Sequence, residues 1–247
     1  MPYQGLQGDR ALVEPRISKL LQSIEAKFEH SRIPTDKWYL TVLGGLLATP
    51  ESYLADHLYL YLISKATYAT SEARKALIRR MREALIKGMA VVGFPKTCEA
   101  IISISRAEPE EDLDSSFSRE KWQCDKANHE RGLAWLKRLY AENTSSLFSL
   151  FKTHRDFEFW LTDIIYGLHL SDRQILDDLD TQLVILPALM GQNLPRETYW
   201  HIRGTRRLGI SKEDVGMVCE CVHQIAQFCE VKLDRVPAVD DVDEDLK

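Results

Sequence analysis

The sequence predicts an all-α protein, and three observations carry that prediction. Apolar residues recur at spacings of three and four through most of the 247 residues. Alternating apolar and polar positions, the mark of half-buried strands, are nowhere sustained. Serine, proline and glycine stand where helices should start and stop.

In chain order, Val13–Phe28 reads as a helix with Ile17, Leu20, Leu21 and Ile24 on one face. Pro34–Leu47 reads as a second, weakened in its middle by Gly44-Gly45. Glu51–Ser64 is apolar and aromatic, with Tyr53, Leu54, Leu58, Tyr59, Tyr61 and Leu62. Ser71–Val92 is a long helix with Ser71 as its expected N-cap and Arg74, Lys75, Arg79 and Arg80 outward; Gly93-Phe-Pro95 stops it. Lys96–Ser105 is a short helix. Glu108–Glu120, EPEEDLDSSFSRE, is acidic and serine-rich and reads as an exposed linker. Lys121–Glu142 and Phe148–Leu168 resume helical spacing, and Ile175–Met190 is apolar with Pro187 inside it. Pro195–Leu208 and Ser211–Cys229 complete the helices, and residues 240–247 form an acidic tail expected to fray.

Composition narrows the function classes. A net charge of -5 argues against a general nucleic-acid binder, which carries a basic surface. No apolar run approaches the roughly 18 residues that span a bilayer. The start, MPYQGLQGDR, has no basic start followed by the apolar block of a signal peptide, and the final Asp-Leu-Lys matches no targeting tail. Cys98, Cys124, Cys219, Cys221 and Cys229 are odd in number and irregular in spacing, which fits reduced thiols rather than a disulfide framework. The expected location is therefore the cytoplasm, with no membrane partner.

The two halves share a pattern. Leu46-Leu47 precedes Pro50-Glu51-Ser52-Tyr53, and Leu189-Met190 precedes Pro195-Arg196-Glu197-Thr198-Tyr199. Each pattern is followed by a helix opening at a serine, Ser71 or Ser211. This reads as a diverged duplication. The expected organisation is a degenerate repeat over 1–107, a linker over 108–120, a second repeat over 121–239 and the tail, all within one compact domain.

The segment Asn193–Gly209 carries the candidate chemistry. Asn193 is the expected cap, Pro195 suits the first turn, and Gly209 stands at the C-terminal cap. Ser211-Lys-Glu-Asp214 opens the next helix with a capping-box pattern. Glu197 and His201 are four residues apart and share a face. A carboxylate beside an imidazole orients the ring and raises its proton affinity, and such a pair can move protons. The same spacing also occurs as a plain solvated helix pair. Tyr199 and Trp200 flank the two residues and suit a core as well as a ligand; Arg203, Arg206 and Arg207 suit an anionic substrate or a solvated face. His129, His154, His169 and His223 show no metal-ligand spacing, so no metal is expected.

Tyr166-Gly167, the apolar Leu183–Leu189, Glu197 with His201, Gly209-Ile210-Ser211-Lys212-Glu213 and Val215–Phe228 together resemble the carboxymuconolactone decarboxylase family. That family lies within the alkyl hydroperoxidase D-like superfamily, and the chain looks like its duplicated fungal members. In the first half, Ser71–Ala100 with Gly93-Phe-Pro95 resembles the family's final helix more faintly. The resemblance implies a bundle built from two diverged repeats and a homo-oligomer. It implies a cofactor-free acid/base enzyme, a decarboxylase, isomerase or related lyase, acting on a small metabolite. His201 and Glu197 would be its catalytic pair, and Tyr166, Arg203 and Trp200 would meet the substrate. The superfamily's peroxidases carry Cys-x-x-Cys on this helix; Arg196–Trp200 holds no cysteine, which disfavours a thiol peroxidase. Asp180-Thr181-Gln182 stands where many members have an arginine, which weakens the case for a carboxylated lactone. In the first half Ala55 aligns with His201, so the second half would supply the proton-transfer pair. A non-catalytic oligomeric or ligand-binding protein that keeps the fold is the competing expectation.

Overall fold

A computed structural model of the chain describes residues 13–242. The MPYQGLQGDR start and residues 243–247 of the acidic tail lie outside them. The described chain is all-helical, with no strand among its elements. The helices are α1 (Pro15–Glu29), α2 (Trp38–Ala48), α3 (Ala55–Ile63), α4 (Ser71–Val92), α5 (Phe94–Ala107), α6 (Lys126–Tyr140), α7 (Thr144–Leu150), α8 (Arg155–Phe159), a π-helix (Trp160–Leu170), α9 (Asp178–Met190), α10 (Pro195–Arg207) and α11 (Lys212–Phe228).

At the centre α2 and α9 cross, and every residue of both except Asp178 and Leu179 is buried. Helices this apolar all round survive only inside a protein. Gly44 permits the crossing: a Cβ there would sit 2.3 Å from the carbonyl oxygen of Val184. The glycine pair that weakens α2 as an isolated helix is what brings the two backbones together. Around this pair the main core mixes both halves, from Ile17, Phe28, Leu43 and Met81 to Val184, Ile202 and Ile225. A second cluster joins α6, the π-helix and α9 through Trp135, Leu139, Tyr140, Tyr166 and Ile185.

The structure revises several local expectations. The N-cap of α4 is Thr70, which accepts from the Ala73 N–H, while Ser71 donates to the carbonyl of Glu111. The expected helix Lys121–Glu142 begins only at Lys126, capped by Asp125. Phe148–Leu168 is not one helix: the chain turns at Lys152-Thr153 and then enters the π-helix, where the Ser171 N–H reaches back to Tyr166 O. Asn193 does not cap α10. It adopts φ 58°, and its side chain instead ties Asp234 and the Arg235 N–H, leaving Leu194 at the N-cap. In the tail, Val239 and Val242 are buried in the main core, so residues up to 242 are packed rather than frayed.

The 108–120 segment, expected as an exposed linker, is tied to α4 by ion pairs while much of it faces solvent. Asp112 pairs with Arg74, and Asp114 bridges Arg79 and Arg82 at 2.8 Å each. Arg119 grips Glu83, itself 2% exposed, at 2.6 Å and reaches Asp172 at 3.4 Å. Acidic composition made this stretch look solvated, but the arginines of α4 supply its partners. Seven of its residues, Glu110, Glu111, Leu113, Ser115, Ser116, Phe117 and Glu120, do face solvent.

Candidate functional site

Helix α10 places the sequence-derived candidates. Pro195 sits in its first turn, and Gly209 follows its end at φ 90°, a conformation that glycine adopts without strain. Ser211 then caps α11 by accepting from the Asp214 N–H at 3.1 Å, as its motif predicts. Between these ends Thr198, His201, Ile202, Gly204 and Thr205 turn inward.

His201 is 6% exposed. Its Nδ1 lies 3.1 Å from the Oε1 of Gln182 on α9. An amide oxygen only accepts, so the contact assigns the proton to Nδ1 and leaves Nε2 with its lone pair. Thr205, one turn on, lies 3.2 Å from the same Gln182 oxygen and donates at 2.7 Å to the carbonyl of His201. Burial pushes the His201 imidazole down to about 4, so it is neutral at physiological pH.

Glu197 does not hold the His201 ring. It is half-buried, and no hydrogen bond joins it to His201. Its charge is felt instead by Tyr140 at the end of α6. The Tyr140 ring meets His201 edge-on with centroids 6.4 Å apart, Trp200 at 5.9 Å and Tyr166 at 6.2 Å. The hydroxyls of Tyr140 and Tyr166 are 3.0 Å apart and buried. Burial lifts Tyr140 to about 12, with Glu197 adding to the lift, and holds Tyr166 well above its ordinary value. Both phenols therefore stay protonated and can donate hydrogen bonds.

Of the five candidates, His201, Tyr166 and Trp200 converge on Tyr140, with Glu197 near it. Arg203 is placed by other contacts. It lies 3.6 Å from Glu142 and over the Tyr199 ring at 5.7 Å. Arg207 joins it on Glu142 at 2.7 Å and donates to the carbonyl of Leu139. Arg206 donates to the carbonyl of Ile210.

Three members of the site carry no strong sequence signal. Gln182 is a lone amide within an apolar helix, which is the one hint that it needs a polar partner. Thr205 stands four residues after His201, a spacing that invites contact. Tyr140 belongs to a distant helix, and nothing in its local sequence marks it.

The first-half counterpart has no such chemistry. Ala55 is fully buried, and His57 accepts from the Glu14 N–H at 3.4 Å. The cysteines are all free thiols. Burial raises Cys219 and Cys221 to about 12, where a thiolate nucleophile is scarce. No helix among the described residues is long and apolar enough to cross a membrane.

No family model matches the chain. No solved structure matches it either. Among curated proteins, it is similar to Peroxisomal protein 2 of Schizosaccharomyces pombe, with 24% identity over 195 residues, covering 72% of this chain and 91% of that protein.

Proposed function

We propose that this chain is a cofactor-free proton-transfer enzyme of the carboxymuconolactone decarboxylase-like kind, acting on a small metabolite as a decarboxylase, isomerase or related lyase. One observation carries the reading: a neutral imidazole with Nδ1 held by Gln182 lies in the same buried layer as the Tyr140–Tyr166 hydroxyl pair. His201 Nε2 takes the proton from an acidic carbon. The tyrosine hydroxyls stabilise the enolate that results, since donors fixed where charge develops are among the strongest catalytic devices. Glu197, half-buried, carries protons between this layer and solvent. Arg203, directed at Glu142, is not given a substrate role in this reading.

The crossing of α2 and α9, the two helices that a duplication would equate, supports the repeat reading and with it the family resemblance. The homo-oligomer that the resemblance implies is part of the proposal. So is the compartment. The relative is named as peroxisomal, and we place this chain there rather than in the cytoplasm. Imaging fusions tagged at each end beside a peroxisomal marker tests this; diffuse signal from both fusions overturns it.

Solvent deuterium exchange tests the chemistry. A panel of lactones and β-keto acids in D2O should include substrates whose α-protons the protein exchanges, and His201→Gln should slow that exchange at least about 100-fold. No exchange across the panel, or equal exchange by His201→Gln, overturns the reading.

A second reading has its own support. His201 is 6% exposed, and Gln182 already occupies its Nδ1. A histidine so enclosed suits a non-catalytic scaffold. That reading gains if the wild type is silent in the exchange assay while His201→Gln lowers stability.

A further inference from the structure

The acidic segment after α5 contains three buried carboxylates, and they are not treated alike. Asp112, 1% exposed, pairs with Arg74. Asp114 is held by both Arg79 and Arg82. Glu108, 9% exposed, has no ion pair or side-chain hydrogen bond among the described residues. Its oxygens are not among the fully enclosed polar atoms, so this unpaired, partly desolvated carboxylate opens onto a cavity rather than onto closed protein.

Glu108 lines a cavity of about 380 Å³ between α4, α5 and the segment itself. Ile78 and Ile101 supply apolar walls, Leu113, Ser105 and Ser115 stand at the exposed rim, and Arg82 and Asp114 complete the lining. The volume falls within the roughly 300–1,000 Å³ of small-molecule sites. The cavity's one cation is already engaged: Arg82 directs its two Nη groups to the Asp114 carbonyl, the Asp114 carboxylate and Ser116. These bonds, with Arg79 on the same carboxylate at 2.8 Å, hold the wall in place without a ligand. With Asp114 shared by Arg79 and Arg82, Glu108 is left as the carboxylate of this lining that has no ion pair of its own.

A second buried polar group lies nearby. The Tyr59 hydroxyl on α3 is fully enclosed and without a partner, and it is near enough to feel the charge of Glu108. Burial pushes the Glu108 carboxyl upward; Arg82 opposes that shift and Asp112 and Asp114 add to it. Such a carboxylate is stabilised by a cation brought to it.

We infer that this cavity is a binding site for a small organic amine, with the ammonium on Glu108 and an apolar body against Ile78, Ile101 and Leu113. The inference does not depend on the proton-transfer reading, because none of these residues belongs to the His201 layer. Nothing in the cavity is arranged for bond making, so the site binds rather than reacts.

Hexylamine and 1-hexanol serve as matched probes, titrated into the intact chain and followed by methyl NMR and calorimetry. Hexylamine should bind with its largest shifts at Ile78, Ile101 and Leu113. Hexanol should bind at least about tenfold more weakly, the difference expected of a charge-assisted contact. Glu108→Gln should weaken hexylamine by about the same factor and leave hexanol unchanged, and Ile101→Trp should abolish both by filling the cavity. The inference is overturned if the wild type is silent at millimolar hexylamine, if the two probes bind equally, or if Glu108→Gln binds hexylamine like the wild type. Should Glu108→Gln fail to fold, the amine-to-alcohol ratio and the shift map of the wild type decide alone.

Discussion

The Nδ1 of His201 on α10 and the Oε1 of Gln182 on α9 stand 3.1 Å apart across a buried helix interface. The partner of the imidazole is thus an amide rather than the carboxylate one turn away on its own helix. The amide orients the ring without charging it, while Glu197 acts on Tyr140 instead. A base near 4 is weak in its resting state but carries no proton to be removed first.

Replacing Gln182 by Glu should reverse this. A buried carboxylate next to the ring favours imidazolium, so the His201 pKa should rise from about 4 to above its ordinary value of 6.5. Proton-decoupled ring nitrogen shifts across pH 3–9 report it. An unmoved titration would mean that Gln182 does not govern the ring.

His201 also links stability to pH. Its folded pKa of about 4 lies below the ordinary 6.5, so between these values the unfolded chain binds the proton and the folded chain does not. The stabilisation is therefore complete above pH 6.5 and is lost as pH falls toward 4. The full difference is on the order of 3 kcal/mol. His169, lowered first by burial, contributes with the same sign. Urea midpoints at pH 4.5 and 7.5 should differ less for His201→Gln than for the wild type; equal differences would remove His201 from the linkage.

The Arg119–Glu83 contact anchors the 108–120 segment onto α4. Lys87, fully buried, donates to the carbonyls of Leu170 and Asp172, and burial lowers it to about 8. Removing one member strands the others. Arg119→Ala should cost about 3–5 kcal/mol, the range for breaking a buried pair. Glu83→Gln with Arg119→Met should cost less than Arg119→Ala alone, because Glu83 is then no longer left charged without the arginine that held it, while Asp172 loses Arg119 in both variants. Denaturant melts of the three variants provide the comparison.

Gly44→Ala tests the central crossing. The new methyl would meet Val184 O at 2.3 Å, and neither backbone can yield without moving a helix. The expected loss is about 3 kcal/mol or more. Gly209→Ala, at φ 90° but with nothing within 4 Å of its Cβ, should cost only about 1 kcal/mol. Similar losses at both positions would contradict the packing argument.

Helix identity and type were legible because the 3.6-residue period is a property of neighbouring positions. Ser71–Val92 and Ser211's cap are read from local spacing and found in place. The break at Lys152 and the π-helix were not legible, since their causes lie outside the segment. Asn128 of α6 donates to the Asp163 carbonyl at 2.8 Å, and a Cβ on Gly132 would meet Thr162 O at 2.1 Å. Asn193 failed as a cap for the same reason: Asp234 and Arg235, some forty residues away, claim its side chain.

By itself the sequence determined the all-α class and most helix positions, because each follows from which residues stand three or four apart; the burial of His201 did not follow from it. Tertiary structure alone decided that His201 meets Gln182 rather than Glu197, that Tyr140 gathers Tyr166 and Trp200, that Arg203 turns to Glu142, and that Glu108 is left without a partner. The physical reason is shared. Spacing settles which side chains can face the core, but a hydrogen bond or ion pair needs a partner within about 3 Å, and here nearly every such partner comes from a different helix.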